Sequence, residues 1–248
     1  MKAKHWAIIA LIAFGVLKLP LEQRAAESFK RSGTLSPPPD LGVVENLTQM
    51  GAAAALGGLR SFVASITFLQ SVTAFEHNDW AQVDSTLRIV TRLQPRVDFY
   101  WQTAANHMAF DAAAYYERDE TRPTLYRRRL YREHVERGIE ILKQGLEFLP
   151  ESGRLEENLA QFYAWRVQPP DHRQSGEHYL RASRMPDRSA TQRKVNERMA
   201  AYQWAKTDDA NLLKQAHLIL RTQRDPRRPM AGLENALRDI ERKLSQPR

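Results

Sequence analysis

The sequence predicts an all-α chain: an irregular array of helix pairs carried behind an N-terminal membrane-anchor helix. Three observations predict it. From Asp79 onward apolar residues recur at three and four, the spacing of one face of a helix. No segment keeps the two-residue alternation of a half-buried strand. Gly138, Leu142, Gly145 and Pro150 place small residues on one helix face, a large apolar residue between them and a proline past the helix end.

The anchor comes first. Lys2, Lys4 and His5 precede an apolar run over 6–17, which Lys18, Leu19, Pro20 and Leu21 extend. Residues 6–21 together approach the roughly 20 that a comfortable span needs, with Lys18 carrying its ammonium to the interface. A cleaved secretory signal wants small residues in an A-x-A arrangement after the run. Ala25 and Ala26 follow Gln23 and Arg24 instead, a poor cleavage site, so the anchor at 1–21 is expected to stay. Lys2 and Lys4 argue for a cytoplasmic N-terminus, while Lys18, Arg24, Lys30 and Arg31 lie on the opposite flank. The expectation is a single-pass protein of a bacterial inner membrane, its body extracytoplasmic.

Residues 22–40 form a linker. Ser36 and the run Pro37, Pro38, Pro39 stiffen it, because consecutive prolines favour polyproline II and offer no helix donors. Residues 41–248 are the expected helical repeat domain, with Asp40 placed to cap its start. Within 41–75 lie Gly51, Ala52, Ala53, Ala54, Ala55, Leu56 and the pair Gly57, Gly58, then Leu59, Phe62, Val63, Ile66, Phe68 and Leu69. This reads as a buried helix that the glycine pair starts or interrupts. Its low charge also suits a second membrane-apposed segment.

The remaining helices announce themselves as one-sided stripes. Trp80, Val83, Leu87, Val90 and Leu93 form one, ending before Pro95; Val97, Trp101, Ala104, Met108 and Tyr115 form the next. Val135, Ile139, Leu142, Leu146 and Leu149 follow, then Leu155, Leu159 and Phe162. Further helices are expected around 190–206, 209–223 and 230–244, with Asp209 and Pro229 as start signals.

The paired stripes give the chain a family likeness. It resembles tetratricopeptide-repeat proteins, whose 34-residue unit keeps small residues and aromatics at fixed offsets with a proline near its end. Gly138, Leu142, Gly145 and Pro150 match the second-helix spacing of that unit; Leu159, Ala160 and Tyr163 match the first-helix spacing of the next. Val83, Leu87, Val90 and Pro95 repeat the second-helix pattern with bulkier residues, and Trp101 opens the unit between. The proline periods are uneven: 55 residues from Pro95 to Pro150, then 36 to Pro186 and 40 to Pro226. The excess in the first falls at 117–132, and the likeness is good over 80–167 and weak beyond. The chain also resembles bacterial membrane-anchored repeat proteins in its anchor, Pro linker, Leu-Gly-Gly-Leu-Arg at 56–60 and Leu-Gln-Pro at 93–95.

The resemblance implies a concave groove lined by the first helix of each pair. By its register the groove-facing residues are Phe99, Gln102, Asn106 and Phe110 in one unit, and Arg154, Glu157, Gln161 and Trp165 in the next. Such a face takes up an extended or helical peptide through amides, an Arg and aromatics. The competing reading has Phe99, Phe110 and Trp165 capping the core.

Catalytic chemistry is thinly represented. His107 and Asp111, four apart, suit a structural contact better than a metal site, since no further ligand pair joins them. His172 and His178 lie in or beside the Pro169-Pro170 loop, where exposed histidine is ordinary. Glu156-Glu157 and Asp208-Asp209 are adjacent and point apart on a helix. No G-x-S-x-G, phosphate loop or dinucleotide fingerprint occurs. Neither enzyme, cofactor nor metal is expected, and the absence of cysteine excludes disulfides and thiolate metal sites.

The net charge of +8 is uneven. Residues 1–116 carry 10 Lys+Arg against 9 Asp+Glu; residues 117–248 carry 27 against 20. Arg122, Arg127, Arg128, Arg129 and Arg132, interleaved with Tyr115, Tyr116, Tyr126 and Tyr131, form a basic surface. Mixed arginine and tyrosine suits single-stranded nucleic acid or an anionic bilayer. Glu117, Asp119, Glu120, Glu133 and Glu136 offset much of the charge. The expected function is a scaffold assembling or tethering cell-envelope proteins, self-association possible at an array end. The alternative is a cytoplasm-facing basic module that binds nucleic acid or anionic membrane.

Overall fold

Helix boundaries follow the capping chemistry of the sequence. The computed structural model describes residues 59–246 as nine helices, with no strand among them. They are α1 (Leu59–Glu76), α2 (Trp80–Leu93), α3 (98–118), α4 (Thr124–Phe148) and α5 (Gly153–Trp165), then α6 (His172–Arg184), α7 (Ala190–Trp204), α8 (Ala210–Thr222) and α9 (Ala231–Ser245). The anchor, the linker and residues 41–58 lie outside the described residues. Among those described, no helix is long and apolar enough to cross a membrane.

Side-chain oxygens satisfy the first free N–H groups of five helices. Asp79, Ser152, Asp171, Ser189 and Asp209 each accept from a backbone N–H two or three residues on. Ser189 and Gln192 close a reciprocal capping box. Asp209 is the start signal expected at α8, and α9 begins two residues after Pro229. Between α1 and α2 the chain reverses through Asn78, whose φ of 56° lies in the left-handed region that asparagine tolerates.

Each helix packs on its neighbours in sequence, and α3 also reaches across to α5. Trp80, Val83, Leu87, Val90 and Leu93 of α2 are all buried, as their spacing requires. Gly138 and Gly145 bring α4 close to α3: a Cβ on Gly138 would lie 2.7 Å from Ala109 Cβ, and one on Gly145 2.9 Å from Trp101 Cγ. Leu142, between them, is fully buried.

Three features differ from the pattern. Helix α3 contains a π turn, His107–Ala112, which adds a residue to the helical phase. The stripe through Trp101, Ala104 and Met108 therefore does not continue to Tyr115, which is exposed; its neighbour Tyr116 packs on the core. The excess placed at 117–132 lengthens α3 and α4 into a tall hairpin closed by 119–123. Helix α1 starts directly after the glycine pair, yet Leu59, Phe62, Ile66 and Leu69 are exposed rather than buried.

Candidate functional site

Three helices that alternate along the chain, α3, α5 and α7, line a cleft of ≈ 450 Å³. Helix α3 contributes Gln102 and Asn106, and α5 contributes Arg154, Glu157, Asn158 and Gln161. The α6–α7 corner and the first turns of α7 close it with Arg188, Thr191, Gln192, Val195 and Asn196. Five of the eight groove positions implied by the repeat register, Gln102, Asn106, Arg154, Glu157 and Gln161, thus meet in one place.

The walls are cross-braced. Gln102 Nε2 donates to Asn158 Oδ1 at 3.0 Å, tying α3 to α5. Arg188, buried at the α6–α7 corner, pairs through Nη1 with Glu157 Oε2 at 3.0 Å. The Gly153 N–H donates to Asp187 Oδ1 at 3.0 Å, fixing the same corner to the start of α5. Arg154 lies 3.5 Å from Asp98 of α3.

Several polar groups remain uncommitted. Arg188 Nη2 and Asn196 Nδ2 are buried without a hydrogen-bond partner among the described residues, and Arg188 Nε has only the Asp187 carboxylate, at 3.6 Å. Asn106 and Gln161, half-buried on neighbouring helices, hold no side-chain hydrogen bond there either. Amides both donate and accept, so this lining complements a peptide main chain. Among the described residues, no aromatic ring lines the cleft.

The three aromatic candidates stand elsewhere. Phe99 is 47% exposed and leans on Phe68 of α1, with ring centroids 5.8 Å apart. Phe110 packs edge-on against Phe162, and the Arg166 guanidinium sits 4.8 Å from its ring centroid. Trp165 is exposed at the C-terminal end of α5. Sequence alone does not single out Asn158, Arg188, Thr191, Gln192, Val195 or Asn196. The Ser189–Gln192 capping signature was the available signal, since it fixes which residues open α7.

The basic candidates gather at the tip of the α3–α4 hairpin. Arg122 is held by Asp119 at 2.6 Å and lies 5.6 and 5.7 Å from the Tyr116 and Tyr126 ring centroids. The hydrogen bond that Arg122 Nε donates to Asp119 raises the Arg122 pKa, and that carboxyl is held below its ordinary value first by the Thr121 hydroxyl and then by Arg122. Arg127 donates to the Glu117 carbonyl, and Arg129 pairs with Glu133 at 2.7 Å. Arg128 and Arg132 are exposed and unpaired among the described residues.

The histidines carry structure. His107 Nδ1 meets Asp111 Oδ2 at 2.8 Å inside the π turn, and no cluster of three or more candidate ligands occurs among the described residues. His178 is not a loop residue: it is buried on α6, 2.6 Å from Glu156 Oε2. Glu156 and Glu157 point apart, the first toward α6 and the second toward Arg188. No protein-family model matches the chain, and no curated protein matches it.

Proposed function

We propose that this chain is a membrane-anchored helical-repeat scaffold that holds other envelope proteins together through the α3–α5–α7 cleft. It has no turnover of its own. The observation that carries the reading is the convergence of amides from alternate helices on one polar cleft. In a tetratricopeptide-like array the first helices of successive pairs would line such a surface. On that reading α1–α2, α3–α4, α5–α6 and α7–α8 are the pairs and α9 closes the end, its outer face polar as a terminal helix requires. The anchoring rests on the apolar run at 6–21 and its basic flank.

The test is site-specific photo-crosslinking in cells. A crosslinker at Gln161 should trap a protein partner, and one at the outward-facing Lys143 of α4 should not. Asn106→Ala with Glu157→Gln should reduce that product while circular dichroism stays unchanged. Equal products at both positions, or none at Gln161, would remove the cleft from the reading.

One observation favours a second reading, contact with an anionic surface. Leu125 is 80% exposed at the start of α4, beside the exposed Tyr126, Arg128 and Arg132. Apolar and basic residues on one tip suit a bilayer interface. Binding to vesicles rich in anionic lipid, lost in Arg128→Glu with Arg132→Glu, would support it.

A further inference from the structure

The cleft has more donors than it uses, and the surplus lies at its α7 end. Arg188 and Asn196 both line it, at 8% and 2% exposed. Nη2 of the first and Nδ2 of the second are buried without a hydrogen-bond partner among the described residues. Buried donors are nearly always satisfied, so two of them on the wall of one cleft point to an acceptor that a ligand brings. The corner that carries them is already braced. Ser189 and Gln192 lock the first turn of α7 in their capping box. Arg193 holds the turn before it, donating to the Arg188 carbonyl at 3.0 Å and the Met185 carbonyl at 3.1 Å. A corner fixed in this way leaves little ordering for a ligand to impose.

Charge decides which acceptor fits. Both arginines lining the cleft already face carboxylates. Arg188 Nη1 meets Glu157 at 3.0 Å and its Nε lies 3.6 Å from Asp187, while Arg154 lies 3.5 Å from Asp98. A carboxylate or phosphate entering here would find each lining arginine already compensated, and would stand beside Glu157, a like charge. A neutral carbonyl meets the same donors without that repulsion. Glu157 supplies the other half of the pattern, because its Oε1 takes no hydrogen bond among the described residues. Donors with an acceptor beside them match a group whose C=O and N–H are neighbours, which is a carboxamide.

We propose that Arg188, Asn196 and Glu157 form a carboxamide-recognition site, in which the two buried donors take the amide oxygen and Glu157 takes its N–H. This rests on the reading of the cleft as a partner-binding surface, and it narrows the partner. The amide comes from an extended main chain or from an Asn or Gln side chain. The interior of a helix does not supply it, since main-chain groups there are paired along the helix. An acidic segment is rejected.

Small probes isolate the chemistry. The full-length, isotope-labelled chain is titrated with acetylglycine methylamide, which carries main-chain amides, with propionamide, which mimics an Asn or Gln side chain, and with propionate, isosteric with propionamide. At least one amide should shift the Asn196 side-chain resonances saturably, and the tighter of the two identifies the source. Propionate should bind more weakly than propionamide by about tenfold or more. Propionate binding as well as propionamide, or no saturable shift with either amide, would overturn the proposal. Asn196→Ala should weaken both amides. Glu157→Gln, at a half-buried position, tests the charge argument without emptying the core: removing the like charge should move the propionate-to-propionamide ratio by about tenfold toward propionate. An unchanged ratio would also overturn it. The two readings fail separately. Crosslinking at Gln161 without any amide response leaves the scaffold and overturns this site, whereas an amide response without crosslinking upholds the site and removes the scaffold.

Discussion

Gly176 of α6 lies directly beneath the indole of Trp204 on α7: a Cβ at that position would overlap Nε1, Cδ1 and Cε2 of the ring. The indole is 2% exposed, and its Nε1 donates to the Arg173 carbonyl at 3.4 Å, so little room exists for it to retreat. Gly176→Ala should destabilise the chain by about 1–3 kcal/mol, as overpacking does, even though alanine favours the helix by about 1 kcal/mol. Urea denaturation followed by Trp fluorescence measures it. An unchanged midpoint would show that α6 and α7 are free to move apart.

Gly232 gives the opposite sign. A Cβ there would find only the Tyr202 hydroxyl, at 3.7 Å, and the residue lies in the first turn of α9. Gly232→Ala should stabilise by up to about 0.5–1 kcal/mol, chiefly by restricting the unfolded chain. Measured beside Gly176→Ala in the same urea series, the pair separates helix propensity from packing.

The same contrast explains what the sequence discloses. Helix α2 is legible because large apolar residues fill every inward position. Helix α6 is nearly silent: its buried positions are Ser175, Gly176, His178, Tyr179, Ala182 and Ser183, helically spaced but small or polar. That composition lets α5, α6 and α7 approach closely and hides the helix from any reading of hydrophobicity. Half of the cleft is legible for a related reason. Gln102, Asn106, Arg154, Glu157 and Gln161 fall in register with the well-kept repeat spacing. The Arg188–Asn196 wall follows a 36-residue period whose anchoring residues are weak. The turn of phase at Tyr115 was unreadable because a π turn leaves no compositional trace.

Glu156 makes stability depend on acid. Burial pushes its carboxyl up, but the hydrogen bond and charge of His178, with Arg181, outweigh burial and hold it below the ordinary value of 4.5. A carboxyl depressed in the folded state contributes stability above its unfolded pKa, and loses it as pH falls through the folded one. Glu156→Gln should therefore cost about 1.5–3 kcal/mol at neutral pH, the range for a hydrogen bond to a charged group. The difference from the parent should shrink below the ordinary carboxylate range as the parent's own Glu156 protonates. Urea titrations from pH 7 down to pH 3 check both halves, and a constant difference would contradict the linkage.

Arg166 pins the π turn from outside. A π turn moves hydrogen bonding from four to five residues, disturbing the regular pairing of its carbonyls. The Arg166 Nε donates to the Ala109 carbonyl at 2.8 Å, while the guanidinium lies 4.8 Å from the Phe110 ring centroid and 5.1 Å from that of Tyr131. Tyr131 in turn donates to the Arg166 carbonyl at 2.8 Å, so α3, α4 and the end of α5 meet at this residue. Arg166→Ala should remove both the donor and the ring contacts, a loss of about 2–3 kcal/mol. Arg166→Lys should not restore it, because an ammonium lacks the planar fork that reaches the carbonyl and faces the rings together. Amide exchange offers the sharper readout: protection in 107–113 should fall more than in α8 or α9. A uniform fall would mean that Arg166 supports the whole array rather than the turn.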